Sequence, residues 1–318
     1  FTKGLQLMAW GLFKKMVIAD RANIFVSEVF GDYQKYSGSI ILLGGVLYTL
    51  QIYAEFSGCM DIVTGSAELF GVPLSQNFSR PFFSKSVAEF WRRWHITLGA
   101  WLRDYVFYSV SLSKPFMKLS RFAKEHLNEF LGSLIPASFA MFFTWFGIGF
   151  WHGAGVKYII YGLYYYAVMM LGMYLEPLFA RAFNAAHINR NSKPLNALRI
   201  LRTLILVVCG MTLFRAETVG IWLGMIKRVF TGFGGGTFLN DALLCGMDKQ
   251  DFLIVILGAA VMLVISTLQE KGINVRDTLA KQVLPVRWTV YICLVLSVII
   301  FGAYGIGYDA VDFIYGQF

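Results

Sequence analysis

Charge is what this 318-residue chain has least of. Charged residues make up 15% of it, where a soluble domain carries about 25%. Hydrophobic residues make up 57%, and the mean hydropathy is +0.59. Too little polar surface remains to clothe a globule in water, so a lipid bilayer is the expected solvent. Cysteine is also sparse. Cys59, Cys209, Cys245 and Cys293 lie far apart without a CxxC, and read as small buried hydrophobes. There is no HExxH, no Cys/His cluster and no DxD, so neither a metal nor a bound cofactor is expected. The GxSxG elbow of serine hydrolases is missing. The glycines of 232–236 lack the preceding strand and the following Lys-Ser/Thr of a phosphate loop, and read as a flexible loop. The net charge of +9 comes from basic residues in short segments between apolar runs, so nucleic acid is not an expected partner.

What the chain does have is long apolar runs. Six approach the twenty residues needed to cross a bilayer, at about 38–54, 134–154, 157–176, 200–215, 252–268 and 288–307. The opening 4–30 is apolar but interrupted by Lys14, Lys15, Asp20 and Arg21, and reads as a span end plus an interfacial helix. Residues 219–230 are too few to span and read as interfacial or re-entrant. Basic loops at 114–124, 181–202 and 269–287 are expected on the cytoplasmic side, and the acidic 232–251 and the tail outside. The expected fold class is an all-α polytopic membrane protein. No repeat and no second soluble domain is visible, so 1–318 reads as a single membrane-embedded domain, and the absence of an initial Met suggests a missing N-terminal portion.

Two segments break the simple pattern. Residues 80–108 alternate aromatics with charges, including Arg92, Arg93, His95, Arg103 and Asp104. A charge at the bilayer centre costs roughly 2.5–3.5 kcal/mol on insertion scales, so this segment is expected at the interface or lining a polar cavity. Trp91, Arg92 and Arg93 read as headgroup anchors. His95 stands apart, as one of four histidines in the chain. The second segment runs from Trp145 to Gly155 and holds His152, with no charge between Ile135 and Lys157. A histidine there needs a cavity or a partner. Physics alone weighs a satisfied core histidine and a functional one equally. Gly147, Gly149, Gly153 and Ala154, which let backbone or substrate come close, favour function. His126 and His187 read as solvated. Glu55 and Asp61, after an apolar run, read as an interfacial cap or as ion-pair partners of Arg92, Arg93 or Arg103.

The remaining chemistry is an intramembrane imidazole. Acyl transfer to an alcohol needs a base, an oxyanion stabiliser and two aligned substrates, and imidazole is the natural base near neutral pH. A transporter or flippase using the same histidines as a proton path is an alternative from another class. It is disfavoured by the lack of matching half-repeats.

The run Phe90-Trp91-Arg92-Arg93-Trp94-His95-Ile96-Thr97-Leu98, followed by Trp101-Leu102-Arg103-Asp104-Tyr105, resembles the signature of the membrane-bound O-acyltransferase (MBOAT) family. The likeness is strongest to its bacterial alginate O-acetyltransferase branch, related to the teichoic-acid D-alanyl transferase. Phe150-Trp151-His152-Gly153-Ala154 resembles the second motif of that branch. Gly11 to Lys15, Phe56-Ser57-Gly58 with Asp61, Gln76 to Pro81, and Phe313 to Phe318 also follow the family pattern. Cys59 and Gly316 depart from it, each standing where an aromatic is usual. The resemblance implies a helical bundle with re-entrant and interfacial helices around a central tunnel, in the bacterial cell membrane. It implies His152 as general base and His95 as a second catalytic-site residue. Trp151, Trp94, Arg93, Arg103, Asp104 and Asp61 would line the substrate path. It further implies acetyl-CoA as cytoplasmic donor, an extracellular polysaccharide as acceptor, and an exported SGNH-type acetyltransferase as partner. The alternative within the family is D-alanyl transfer to teichoic acid from a carrier-protein thioester.

Overall fold

In hydrocarbon a backbone must satisfy its own polar groups, and the helix is the local way to do so. The computed structural model describes residues 1–234 and 238–304, and among these the secondary structure is helical apart from one antiparallel bridge between Phe78 and Trp94. Among the described residues six helices are long and apolar enough to cross a membrane: Gly38–Leu69, Glu129–Trp151, Val156–Ala185, Lys193–Arg215, Lys249–Glu270 and Leu284–Phe301. Each contains the apolar run that hydropathy marks, or most of it. The tail from residue 305, with the motif ending at Phe318, lies outside the described residues, as do Gly235 and Gly236 of the glycine loop. The chain divides into two compact units, one of residues 1–75 with those from Ile221 onward, the other of residues 76–220.

In the first unit α1 (Thr2–Leu12), a π-helical segment (Phe13–Ala19) and α2 (Asp20–Gly31) run along α3 (Gly38–Leu69). Glycines at seven-residue spacing set the approach. A Cβ on Gly11 would lie 2.5 Å from the Gly58 carbonyl oxygen, and one on Gly4 would lie 2.6 Å from that of Gly65. Only hydrogen fits there, so the backbones touch directly.

The close contact accommodates charge. Lys14 and Lys15 are buried. Lys14 pairs with Asp61 at 2.7 Å and donates to Ser57 Oγ at 2.8 Å. Lys15 pairs with Asp20 at 2.7 Å and with Glu55 at 3.1 Å. This corrects two expectations. Glu55 and Asp61, read as an interfacial cap or as ion-pair partners of Arg92, Arg93 or Arg103, pair with lysines of the π segment. Because those charges are neutralised, α3 does not stop near residue 54 but continues to Leu69. A buried carboxylate is tolerated in a helix when it is paired and hydrogen-bonded.

The second unit contains α4 (Val87–Arg93), α5 (Ile96–Leu102), a π-helical segment (Arg103–Phe107), α6 (Tyr108–Ser111), α7 (Lys114–His126), α8 (Glu129–Trp151), α9 (Val156–Ala185) and α10 (Lys193–Arg215). Residues 114–124, expected as a loop, form α7 instead. The sequence is amphipathic at helical period: Ala123 is buried, Phe116 meets Phe139 and Phe143 of α8, and Lys114, Lys118, Arg121 and Lys124 are exposed. Helices α8 and α9 meet through glycine again. A Cβ on Gly162 would come 2.2 Å from the Trp145 carbonyl oxygen, and one on Gly149 would come 2.5 Å from that of Tyr158. The last turns of α8, which end at His152, are therefore pressed onto the first turns of α9.

Beyond these, α11 (Val219–Thr231) is a 13-residue helix. At 1.5 Å per residue it extends about 20 Å, short of a bilayer core. From Ile221 on it belongs to the first unit, where Gly38 lies against the backbone of Arg228 and Val229. It is followed there by α12 (Phe238–Leu243), α13 (Lys249–Glu270), α14 (Val275–Ala280) and α15 (Leu284–Phe301).

Candidate active site

The site builds from the extended segment 76–79. Ser79 N–H donates to the Arg93 carbonyl at 2.9 Å, and Ile96 N–H donates to that of Asn77 at 3.0 Å. These bonds flank the Phe78–Trp94 bridge, so the strand-like pair grips the chain on both sides of His95. Helix α4 starts at Ser86, whose hydroxyl accepts the Glu89 N–H at 3.1 Å, a favoured N-cap arrangement. Between α4 and α5 the backbone turns sharply. His95 sits there in the left-handed region, φ 47° and ψ 53°. Such a conformation is uncommon for a residue with a Cβ, though histidine adopts it more readily than most, and strained residues gather at functional sites. The turn aims the imidazole at Trp151, with ring centroids 5.8 Å apart.

His152 caps the C-terminal end of α8 and is 6% exposed. Aromatic rings surround it: Trp151 at 4.7 Å, Phe214 of α10 at 5.0 Å, and Tyr161 and Tyr158 of α9 at 5.7 and 6.4 Å between centroids. The chain escapes the helix through Gly153, whose φ of 143° suits glycine and whose missing Cβ would strike the Tyr158 ring at 2.9 Å. Nδ1 of His152 is buried without a protein hydrogen-bond partner. A core histidine satisfied at both ring nitrogens would have one.

Burial lowers both histidines, His95 to about 4 and His152 to about 3, the latter with a further contribution from the nearby charge of His95. Both rings are therefore neutral at physiological pH. The unfolded chain takes up these protons below about pH 6.5, while the folded chain does not. Folding stability should accordingly fall as pH drops from about 6.5 toward 4. Melting temperatures of the detergent-solubilised protein should decline over that window, and a His95→Gln/His152→Leu variant should show a shallower decline. An equally steep decline in the variant would refute the assignment to these groups.

The other anticipated residues separate. Trp94 is buried, stacked on Phe90 at 5.4 Å. Arg93 pairs with Glu89 at 2.8 Å within α4. Arg103 and Asp104 are exposed on the π segment after α5 and pair with each other at 2.9 Å. Asp61 belongs to the first unit and is held by Lys14. His126 is exposed, stacked on Phe122 with centroids 4.2 Å apart, and His187 is exposed after α9. Residues the sequence did not single out are the cage rings Tyr158, Tyr161 and Phe214, and the pair Asn77 and Thr97 beside His95. The cage rings carry no local signal, since aromatics are spread throughout the chain. Among the described residues no group of three or more His, Cys, Asp or Glu side chains is arranged to hold a metal ion.

Comparison with known proteins adds to this geometry. The profile of the membrane-bound O-acyltransferase family matches residues 23–211. The chain is 33% identical over 259 residues to a protein named probable alginate O-acetylase AlgI from Pseudomonas aeruginosa, covering 81% of this chain and 44% of that protein. It is 29% identical over 250 residues to a peptidoglycan O-acetyltransferase of Helicobacter pylori, covering 78% and 41%. It is 30% identical over 146 residues to a teichoic acid D-alanyltransferase of Bacillus subtilis, covering 45% and 33%. The chain thus spans less than half the length of these relatives.

Proposed function

The chain belongs to the membrane-bound O-acyltransferase family, and from that premise we propose that residues 1–318 form one multi-pass acyltransferase domain that moves an acetyl group from cytoplasmic acetyl-CoA to a hydroxyl of an extracellular polysaccharide. The observation that carries this reading is the buried, neutral His152 with its unpartnered nitrogen in an aromatic cage, beside His95. The acceptor is the sugar itself or a Ser on an exported SGNH-type partner.

In the proposed step His152 takes the hydroxyl proton as the oxygen bonds to the thioester carbonyl carbon. The tetrahedral oxyanion then collapses, the C–S bond breaks, and the proton passes from the imidazolium to the departing thiolate. Ester and thiol are the products. A desolvated imidazole is a weak base in the empty site. It becomes a strong one only as negative charge grows on the reacting oxygen next to it, because an ion pair in a low dielectric is worth far more than in water. The interaction is thus reserved for the transition state, where it accelerates the reaction. In this reading Trp151 and the backbone near Gly153 meet the oxyanion. His95, reaching Trp151 from the opposite element, lines the same space. In this reading Trp94 and Arg93 shape the α4 end of the substrate path, with Arg103 and Asp104 further along it.

D-alanyl transfer from a carrier-protein thioester remains the second reading. It is supported by a relative that matches 45% of this chain, where the alginate O-acetylases match about 80%. Family membership likewise favours group transfer over solute transport. The test uses the full-length protein in proteoliposomes with radiolabelled acetyl-CoA. Label is expected on the polysaccharide or the exported partner as a base-labile ester. Label moving only from carrier-bound D-alanine would replace the acetyl reading.

A further inference from the structure

Asn77 is buried at 8% exposure, in a stretch whose sequence gives no hint of ionisable chemistry. Its backbone carbonyl accepts from Ile96, which ties it to the turn that holds His95 left-handed. Its side chain does more. Oδ1 accepts the Thr97 hydroxyl at 2.6 Å and lies 3.3 Å from His95 Nδ1. A carbonyl oxygen has two lone pairs, so it can take a proton from both. With the Thr97 hydroxyl supplying one, the oxygen faces Nδ1 as an acceptor, and Nδ1 meets it as a donor.

We propose that Asn77 is a positioning residue for His95: its side-chain oxygen holds the proton on Nδ1, with Thr97 fixing that oxygen, so that Nε2 is the proton-accepting nitrogen. A neutral imidazole has one donor and one acceptor nitrogen, and the bond made by one decides the role of the other. The inference rests on the reading that His95 belongs to the transfer site, but its central claim is about a proton position and can be checked without turnover. Thr97 lies in the first turn of α5, immediately after the strained residue. Backbone pairing, side-chain oxygen and hydroxyl therefore form a single clamp. Holding His95 in the left-handed region would serve little if its tautomer were left to chance. An amide suits the task because it accepts without adding charge beside two neutral histidines.

The experiment is 15N NMR of the full-length protein in liposomes, histidine-labelled, with His95 assigned by the signal lost in His95→Gln. Wild type should show Nδ1 protonated and Nε2 bare at His95. Asn77→Ala should move the ring toward the opposite tautomer or a mixture, while Asn77→Asp, which keeps an acceptor oxygen, should preserve it. Acetyl transfer in the same samples should lose about ten-fold or more in kcat in Asn77→Ala with little change in KM, and Asn77→Asp should recover most of it. A wild-type His95 protonated on Nε2, or a tautomer untouched by Asn77→Ala, would overturn the proposal. A tautomer that responds while kcat does not would uphold the clamp and remove His95 from the transfer reaction.

Discussion

His152→Ala should lower acyl transfer by about 10²–10⁴-fold, the range general-base catalysis supplies, with KM for the donor nearly unchanged. The effect follows from where the interaction is made. Nδ1 of His152 has no protein partner, and the neutral ring contributes little to the resting state. Its worth appears only when a proton is being taken. The companion variant is His152→Leu, which keeps volume within the ring cage and removes a buried unsatisfied nitrogen. Leaving such a group unpaired costs about 1–3 kcal/mol, so the leucine variant should melt no lower than wild type while remaining inactive. Loss of activity without loss of stability marks a residue kept for chemistry. The two readouts are label transfer in proteoliposomes and thermal melting of the same preparations. Full activity in either folded variant would remove His152 as the base.

Lys15→Met should cost about 3–5 kcal/mol of stability, the range for breaking a buried pair by removing one partner. Lys15 is buried and bridges Asp20 and Glu55. Taking it away leaves two carboxylates facing each other in a low dielectric, where one must bind a proton or the helices must part. The informative control is the triple variant Lys15→Met/Asp20→Asn/Glu55→Gln, which removes the charges together. It should recover most of the loss, because the penalty belongs to the unpaired charges rather than to the missing lysine. Reversible unfolding in mixed micelles would read both. A single variant as stable as wild type would show that the network carries no net stability.

Residues whose cost is local could be found in the sequence. The six spans were legible because each is a long apolar run whose placement in lipid depends on its own composition. His95 and His152 stood out because an imidazole among apolar residues needs a reason. What could not be read was pairing over distance. Glu55 and Asp61 read as the end of a span because their neutralising lysines lie some forty residues earlier, on a helical stretch whose close approach to α3 is set by glycines. The α7 segment reads as a loop by its charge, and its helical period shows in which of its residues meet α8. Asn77 and Thr97 lie within stretches that resemble the family's motifs, yet their meeting with His95 requires a left-handed residue and a two-bond strand pairing, neither of which leaves a pattern in a single sequence.

The π-helical segment Phe13–Ala19 has a consequence for how α2 is aimed. An i→i+5 turn takes up one residue more than the α-helical ladder allows, so it works as a phase shifter between α1 and α2. Two adjacent lysines can both turn inward there, and the Met16 carbonyl accepts the N–H of Ala303 at 2.8 Å. Downstream, the buried stripe Ala22, Phe25, Val26, Val29 and Phe30 keeps its heading. Winding the same residues as a plain α-helix, with none removed, would swing that stripe by about 100°. The length of this stretch and its π winding are thus matched, and neither can change alone without re-aiming α2.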